Sequence, residues 1–402
     1  MDLLPRVLRP RAEQLSRDVE MVLAGLRGER APPWLARDGA RYGAPLVPNP
    51  QRSHDARALA QILAVEIEAS DAVSLILRWP EAFPAPRPGQ FITLELPEVD
   101  EGLRRTYSIS SDCRAPERVS ITVRRVANGR ASTWLNREAR AGMELRVTRP
   151  AGRFGEALET SEGAVVMVAG GSGITPLMAM LRSGLGDPGS PRAVTLIYAN
   201  RSAESTIFGA ELRAMAAAPE SALRLIEVLE PSHGRLDAAC FASLVDRHAA
   251  LAEALGQRST QVLVCGPPPM MGGVVEQLRG RGVDDEQIHL EHFTAGRTRA
   301  EPNPERGRAW SVEFVEGPDG PATTVVVQPG QSLLDAGLDA NINLPYSCAM
   351  GGCGACMSTL EEGSVAMDEP NCLRPRERAE GRVLTCVGRP TSPCRLRITT
   401  GS

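Results

Sequence analysis

The chain has 402 residues, of which 42% are hydrophobic and 23% charged, and its net charge is −4; these values indicate a folded protein of two or three domains and exclude the basic surface that nucleic-acid binding requires. No segment approaches the roughly 18 consecutive apolar residues of a membrane span, and residues 1–11 lack the apolar core of a signal peptide, so we expect a cytoplasmic protein. In that reducing compartment its nine cysteines are expected to be metal ligands or free thiols rather than a disulfide scaffold.

Residues 1–57 form an N-terminal extension that is rich in arginine and proline. The hydrophobic pattern predicts one amphipathic helix over residues 11–26, and the proline-rich run over residues 31–50 predicts little regular structure. We therefore expect the extension to be partly helical.

Short runs in which apolar and polar residues alternate begin at Gln61. They cover residues 61–67, 72–77, 91–96, 119–126 and 145–148, with turn residues between them. Several short strands at this spacing are typical of a small antiparallel β-barrel, which we assign to residues 58–155.

The segment Arg105-Thr106-Tyr107-Ser108 follows one of these predicted strands. Its order, R-x-Y-S, resembles the flavin signature of the ferredoxin–NADP reductase superfamily. The resemblance implies that the ring of Tyr107 lies against the flavin, that Arg105 pairs with its pyrophosphate, and that Ser108 hydrogen-bonds near its reactive nitrogen. Thr106 belongs to the same binding segment.

A glycine turn follows at the start of a predicted helix, with the sequence Gly129-Arg130-Ala131-Ser132-Thr133. It is similar to the superfamily's pyrophosphate turn, where backbone N–H groups and the helix dipole favour phosphate. The chain looks most like the FAD-binding reductases of multicomponent oxygenases, which implies that the barrel binds FAD. FMN-binding reductases of the phthalate type share the domain order and are the alternative.

The pattern changes after residue 163. Apolar runs over residues 164–169, 194–199, 223–229, 261–265 and 288–293 alternate with helical stretches such as 177–185 and 238–252. This alternation predicts βαβ units on a parallel sheet, and we assign an α/β nucleotide domain to residues 156–297.

A glycine loop follows the first of these strands, with the sequence Gly170-Gly171-Ser172-Gly173-Ile174-Thr175-Pro176. A strand, a glycine turn and a helix start can hold a pyrophosphate on backbone N–H groups, and proline suits the first turn of a helix. The candidate NAD(P)H-binding residues here are Gly171, Gly173, Thr175 and Pro176.

Cys265-Gly266-Pro267-Pro268-Pro269-Met270 resembles the superfamily's C-G-P segment below the nicotinamide. The resemblance implies that Cys265 positions the nicotinamide against the flavin and that Gly266, Pro267 and Met270 contact the nucleotide. A small buried core residue is the alternative interpretation of Cys265.

The segment Glu291-His-Phe293 matches the closing Glu-x-aromatic of the superfamily. There the ring covers the flavin until the nicotinamide displaces it, and we expect both side chains on one face of the last strand. Together with Ser108 and Cys265, these two residues are the candidate catalytic set.

We expect the residues that select between NADH and NADPH to follow the second strand of this domain, and they are Arg201 and Ser202. An acidic residue there would bind a ribose 2′-OH, and an arginine can accommodate a 2′-phosphate. Arg201 and Ser202 favour NADPH, but the nearby Glu204 leaves the choice open.

Residues 298–308 are charged, contain glycine and proline, and are predicted to be a linker. The block of residues 309–402 contains Cys348-Ala-Met-Gly-Gly-Cys353-Gly-Ala-Cys356 and, further on, Cys386. The C-x4-C-x2-C…C spacing is that of plant-type 2Fe–2S ferredoxins, and the block resembles such a domain from end to end, which implies an α+β β-grasp fold. A zinc site is the alternative, although it usually pairs two short spacings; Cys372 and Cys394 are interpreted as spare thiols.

The resemblance covers residues 59–400 and implies a multidomain electron-transfer reductase. Electrons would pass from NAD(P)H to FAD, then to a 2Fe–2S cluster and to a partner oxygenase, hydroxylase or fatty-acyl desaturase. A stand-alone flavin-type NAD(P)H reductase of small molecules would not need the ferredoxin block. A redox-sensing cluster protein would need an effector or DNA-binding segment, and the sequence shows no pattern of one.

The N-terminal extension looks like that of reductases serving membrane fatty-acyl desaturases. That resemblance implies a peripheral contact with a membrane-bound partner. A tail without such a contact is an equally consistent interpretation.

Overall fold

The computed structural model describes residues 57–100, 103–293, 308–317, 320–346, 348–349, 351–369 and 371–398. The helix predicted over residues 11–26 lies outside this part of the chain, as does the predicted linker up to residue 307. The described residues form three large sheets and one two-stranded ribbon.

The first sheet is antiparallel and has six strands in the order β4-β3-β6-β1-β2-β5. Its strands are β1 (Arg57–Ala69), β2 (Ala72–Arg78), β3 (Phe91–Glu95), β4 (Arg104–Ser108), β5 (Arg118–Arg124) and β6 (Glu144–Thr148), accompanied by helices Arg130–Arg137 and Glu156–Thr160. A bridge between Ile109 and Ile121 joins its two edges. Inward-facing aliphatic side chains fill the resulting barrel.

Strand β4 was not among the predicted strands. Arg105, Tyr107 and Ser108 follow β3 in the chain, as expected, and lie within β4, which pairs with β3. The polar sequence of β4 gives no apolar alternation, and backbone pairing with β3 imposes the extended form instead.

The second sheet is parallel, with the strand order β11-β10-β7-β8-β9. Its strands are β7 (Val165–Gly170), β8 (Val194–Asn200), β9 (Leu223–Leu229), β10 (Gln261–Cys265) and β11 (Ile288–Glu291). The connecting helices are Ile174–Arg182, Gly209–Ala217, Glu230–His233, Ala238–Arg247, Ala249–Leu255 and Pro268–Gly280. Separate buried clusters on the two sheet faces show that both are covered, as a parallel sheet requires.

Three elements of this domain differ from the predicted bounds. The helix predicted over 177–185 begins earlier, at Ile174, and the one predicted over 238–252 is divided at His248, whose backbone is not helical. The strand predicted over 288–293 ends at Glu291, because its partner β10 ends opposite it at Cys265.

The third sheet is mixed, with the order β13-β12-β18-β14-β16. Its strands are β12 (Trp310–Glu316), β13 (Ala322–Val327), β14 (Met357–Glu362), β16 (Arg382–Leu384) and β18 (Cys394–Ile398); the ribbon is β15 (Val365–Met367) with β17 (Gly388–Pro390), and the helices are Leu333–Asp339 and Pro375–Ala379. Ser332 caps the first helix by accepting a hydrogen bond from the Asp335 N–H. The cysteine loop lies just before β14, and Cys386 follows the end of β16 rather than lying within a strand.

Candidate functional site

The R-x-Y-S segment lies on the barrel strand β4, where Tyr107 pairs with Ile92 and Ser108 with Phe91. Ser108 is buried, whereas Arg105 is exposed. Burial, partly offset by Arg105, raises the pKa of Tyr107 to about 12. Its phenol is therefore neutral near pH 7, as suits a ring that packs against an uncharged aromatic surface.

The glycine turn lies where helix Arg130–Arg137 begins. Gly129 is the N-cap and no side chain caps the helix, so its first N–H groups are available to an anion. A cavity of about 510 Å³ opens beside Gly129 and Thr133. These features fit a flavin pyrophosphate, although the Arg130 side chain pairs with Asp100 at 2.7 Å.

Ser132 stabilises this turn from inside. Its hydroxyl accepts a hydrogen bond from the Val126 N–H at 3.1 Å, and a Cβ on Gly129 would lie 2.5 Å from that oxygen. Glycine is therefore required where the two elements approach each other.

The nucleotide loop and the C-G-P segment lie in direct contact. Residues Gly171–Gly173 form a single 3₁₀ turn between β7 and helix Ile174–Arg182, and no side chain caps either. A Cβ on Gly173 would lie 2.1 Å from the Cys265 carbonyl oxygen. The loop that could hold the pyrophosphate is thus packed against Cys265, which is expected to lie near the nicotinamide.

Arg124 is a residue of this site that the sequence interpretation missed. It comes from the barrel strand β5, and its guanidinium lies 2.8 Å from the position of a Cβ on Gly171. It also donates a hydrogen bond to the Ser205 carbonyl in the nucleotide domain. An arginine in an ordinary strand carries no motif, so only the domain packing reveals it.

Cys265 and Glu291 are neighbours across β10 and β11. Cys265 is fully buried, and burial, with Glu291 adding to it, raises the pKa of its thiol. Burial, and then the nearby Cys348, raises the pKa of Glu291 to about 8. At neutral pH this carboxyl is therefore mostly protonated and able to donate a hydrogen bond.

Phe293 does not share a strand face with Glu291 as expected. It lies beyond the end of β11, and 41% of its surface is exposed, against 7% for Glu291. The ladder stops at Glu291 because β10 offers no further partner.

The four predicted cluster ligands converge in two pairs. The thiol of Cys353 is hydrogen-bonded to that of Cys348, and the Cys356 and Cys386 sulfurs are 3.2 Å apart. Among the described residues, no three metal-ligating side chains surround a single ion position. Two thiol pairs suit the two irons of a 2Fe–2S cluster better than a single zinc ion.

Backbone N–H groups point towards these sulfurs. Gly351 donates to the Cys386 sulfur at 3.2 Å, and Ala355 donates to the Cys353 sulfur at 3.4 Å. Gly351 and Gly354 have φ values of +77° and +73°, which glycine adopts at no steric cost. The chain therefore presents four sulfurs and their donors in a form that fits the cluster.

The cysteine loop is packed against the barrel. Cys348 and Cys353 form a buried apolar cluster with Phe91 of β3. At the edge of this contact, Arg153 forms an ion pair with Glu377 of the ferredoxin domain at 2.6 Å. The structure therefore places the cysteine loop beside β3, the strand that pairs with the R-x-Y-S strand β4, a relationship that no sequence motif carries.

Comparison with known families matches three consecutive parts of the chain. They are an oxidoreductase FAD-binding domain over residues 69–155, an oxidoreductase NAD-binding domain over 167–276 and a 2Fe-2S iron-sulfur cluster binding domain over 317–391. The chain is 37% identical to the ferredoxin reductase component of 3-ketosteroid-9-alpha-monooxygenase from Mycolicibacterium smegmatis, over 83% of this chain and 94% of that one. The chain belongs to the ferredoxin reductase components of oxygenases.

Solved structures show the same arrangement. Phthalate dioxygenase reductase aligns with this reductase at a TM-score of 0.52 and 26% identity, over 86% of this chain and 98% of that one. An intact type IV self-sufficient cytochrome P450 monooxygenase aligns at a TM-score of 0.66 and 26% identity, over 86% of this chain but only 41% of its own. The predicted fold class and the FAD, NAD(P)H and 2Fe–2S cofactors are confirmed.

A cavity of about 300 Å³ lies between the nucleotide domain of the reductase and its ferredoxin domain. Its lining includes His289, Glu291, Gly352 and Arg374. His289 hydrogen-bonds Gln261 at 2.7 Å, and burial, with the Arg374 charge, lowers its pKa to about 4. Each helix in the described part of the reductase is too short or too polar to span a bilayer.

Proposed function

We propose that this reductase delivers electrons from NAD(P)H to a partner oxygenase, hydroxylase or fatty-acyl desaturase. The observation that carries the proposal is the packing of Cys348 and Cys353 against Phe91 of β3, next to the proposed flavin segment on β4. Its relative from Mycolicibacterium smegmatis is named as the reductase component of a monooxygenase. A flavin held by residues 105–108 and 129–133 would supply hydride acceptance and the release of single electrons, and a 2Fe–2S cluster held by the four cysteines would supply single-electron acceptance.

The proposed flavin contacts are the segment 105–108 and the turn 129–133. The exposed Arg105 would pair with a phosphate, and the buried Ser108 would hydrogen-bond the flavin ring. The uncapped helix start at Gly129 would bind the pyrophosphate.

The proposed nucleotide contacts surround the junction of the glycine loop and Cys265. Gly171, Gly173, Thr175 and Pro176 would hold the pyrophosphate, and the neighbouring segment 265–270 would contact the nicotinamide half. The protonated Glu291 would donate a hydrogen bond in this buried site. The exposed ring of Phe293 is accessible enough to be displaced by an entering nicotinamide.

The proposed cluster ligands are Cys348, Cys353, Cys356 and Cys386. Their role is to hold the two irons and, through the N–H donors of Gly351 and Ala355, to adjust the potential. The proposed domain bounds remain 58–155, 156–297 and 309–402.

Anaerobic reduction of the purified protein with NADPH and then NADH tests this function. We expect flavin bleaching followed by a rhombic 2Fe–2S EPR signal. Flavin bleaching without any cluster signal would overturn the electron path and leave a flavin reductase.

We propose further that the arginine-rich extension, residues 1–57, contacts the partner or the membrane surface beside it. This proposal rests on the sequence and the resemblance alone. Deletion of residues 1–50 should slow electron delivery to a membrane-bound acceptor without changing ferricyanide reduction. Unchanged delivery would refute the proposal.

A further inference from the structure

The carboxylate of Asp71 lies between two arginines from different domains. Asp71 occupies the turn between β1 and β2 of the barrel. One of its oxygens lies 3.3 Å from Arg124 Nε, and the other lies 3.4 Å from a terminal nitrogen of Arg201, which follows β8 of the nucleotide domain. Asp71 and Arg124 are mostly buried, with 18% and 15% of their side chains exposed, whereas Arg201 is 69% exposed.

This trio lies where the phosphates of a bound nucleotide are expected. Arg124 contacts Gly171 of the glycine loop, and Arg201 follows the second strand of the nucleotide sheet. In nucleotide-binding sheets of this type the end of the second strand faces the 2′ position of the adenosine ribose. Asp71 is therefore placed to act on both arginines at this position.

Buried polar atoms here are incompletely paired. Asp71 Oδ1 and Arg124 Nε have only their mutual ion pair at 3.3 Å, and neither amide atom of Asn200 has a hydrogen-bond partner. Asn200 is the last residue of β8 and is only 6% exposed. Buried polar groups are almost always hydrogen-bonded, so this cluster is better suited to a bound ligand than to the free protein.

We propose that Asp71 determines the nucleotide specificity of the reductase, in favour of NADH. Its carboxylate accepts a hydrogen bond from the ribose 2′-OH of NADH and repels the 2′-phosphate of NADPH, while occupying the arginine that would otherwise bind that phosphate. The NADPH preference expected from Arg201 and Ser202 assumed a free arginine. The acidic residue beside Arg201 is Asp71, which comes from the barrel and not from the segment after β8.

This inference rests on the proposed use of NAD(P)H as donor, and the D71N variant tests it. We expect the KM for NADPH, and the Kd of NADP⁺ measured from flavin difference spectra of the holoenzyme, to fall by about tenfold. Removing one charge beside a phosphate at a partly screened site has an effect of that order. The values for NADH and NAD⁺ should rise by no more than about threefold, because the amide oxygen of asparagine can still accept the hydrogen bond from the ribose 2′-OH.

Asp187→Asn is the matched control. Asp187 also forms a pair across the domain boundary, with Arg114 at 3.3 Å, but not at the glycine loop. The Asp187→Asn variant should leave the KM and Kd values of both nucleotides unchanged. An unchanged NADPH-to-NADH ratio in flavin-loaded D71N would overturn the proposal, whereas failure of wild type to bleach its flavin with either nucleotide would overturn the proposed function instead.

The R201Q variant keeps the test decisive if D71N does not retain flavin. The KM for NADPH of R201Q should rise, because the Asp71 carboxylate loses a neutralising partner. The KM for NADH should change little. An unchanged NADPH-to-NADH ratio in R201Q would refute an interaction of Asp71 and Arg201 at the 2′ position.

Discussion

Phe91 pairs with Ser108 across the β3–β4 ladder, and its side chain packs against Cys348 and Cys353. Ser108 is the proposed neighbour of the flavin ring, and the two cysteines are proposed cluster ligands. Phe91 therefore contacts the cysteine loop and adjoins the proposed flavin segment. Its position indicates a role in holding the two at a short distance.

Substitution of Phe91 by leucine should slow cluster reduction and leave flavin reduction unchanged. The smaller side chain loosens the contact without introducing a polar group, and we expect the second phase of reduction to slow by about tenfold, or about 1.4 kcal/mol. Stopped-flow absorbance separates the flavin phase from the cluster phase. Equal slowing of both phases would show a general defect, so iron and flavin contents are measured in parallel.

The Arg153–Glu377 ion pair should stabilise docking of the ferredoxin domain. Burial opposes ionisation of Glu377, but the Arg374 N–H and the Arg153 guanidinium outweigh it and lower its pKa. The ion pair should therefore stabilise docking fully above pH 4.5, the ordinary pKa of a glutamate. This stabilisation should be lost as the pH falls below that value.

Glu377→Gln should slow cluster reduction at low salt and weaken its dependence on ionic strength. Glu380→Gln is the matched control, because Glu380, just after the same helix, pairs with Arg376 of that helix and not with a barrel residue. If both variants behave like the wild type across a salt titration, the pair has no role in docking.

Because of His289, the free energy of unfolding should decrease as the pH is lowered. Its pKa is about 4 in the folded protein against an ordinary 6.5, so the unfolded chain binds more protons between these values. Stability present above pH 6.5 should decrease as pH falls towards 4, by on the order of 2 kcal/mol.

Urea titrations of wild type and His289→Gln at pH 7 and pH 5 measure this effect. The substitution should reduce the pH dependence but not abolish it, because burial also lowers the pKa of His292. An identical pH dependence in His289→Gln would contradict the prediction.

Replacement of Cys386 by alanine should remove the cluster and spare the flavin. The variant loses one sulfur of the Cys356–Cys386 pair, so we expect little iron and no 2Fe–2S EPR signal, with normal flavin bleaching by NAD(P)H. Cys394→Ala, in β18, should retain its iron. A full iron content in Cys386→Ala would exclude this residue as a ligand.

Gly173→Ala should impair nucleotide binding. The added Cβ would lie 2.1 Å from the Cys265 carbonyl, so the loop or β10 must shift, at a cost of about 2 kcal/mol or more. Gly272→Ala has open space around it and should stabilise its helix slightly. KM values for NAD(P)H and thermal melts distinguish the two; equal KM values would show that the contact tolerates a methyl group.

The sequence alone determined the order of the domains, the cofactors and the cysteine set. These features depend on local patterns: thiols at fixed spacing, glycines where a turn meets a helix, and alternation of period 2 or of βαβ units. Each can be recognised without a long-range contact, because backbone geometry sets the spacing within one element. Strand β4 is the exception, since pairing with β3 overrides its polar sequence.

Only the tertiary structure decided how these parts meet. Three contacts cross domain boundaries: Phe91 against the cysteine loop, Arg124 at the glycine loop and Asp71 against Arg201. Phe91, Arg124 and Asp71 come from strands and a turn without a motif. The chain separates Asp71 from Arg201 by 130 residues, and their electrostatic interaction depends on a distance that folding alone sets. Nucleotide preference is thus a property of the packed domains rather than of the segment after β8.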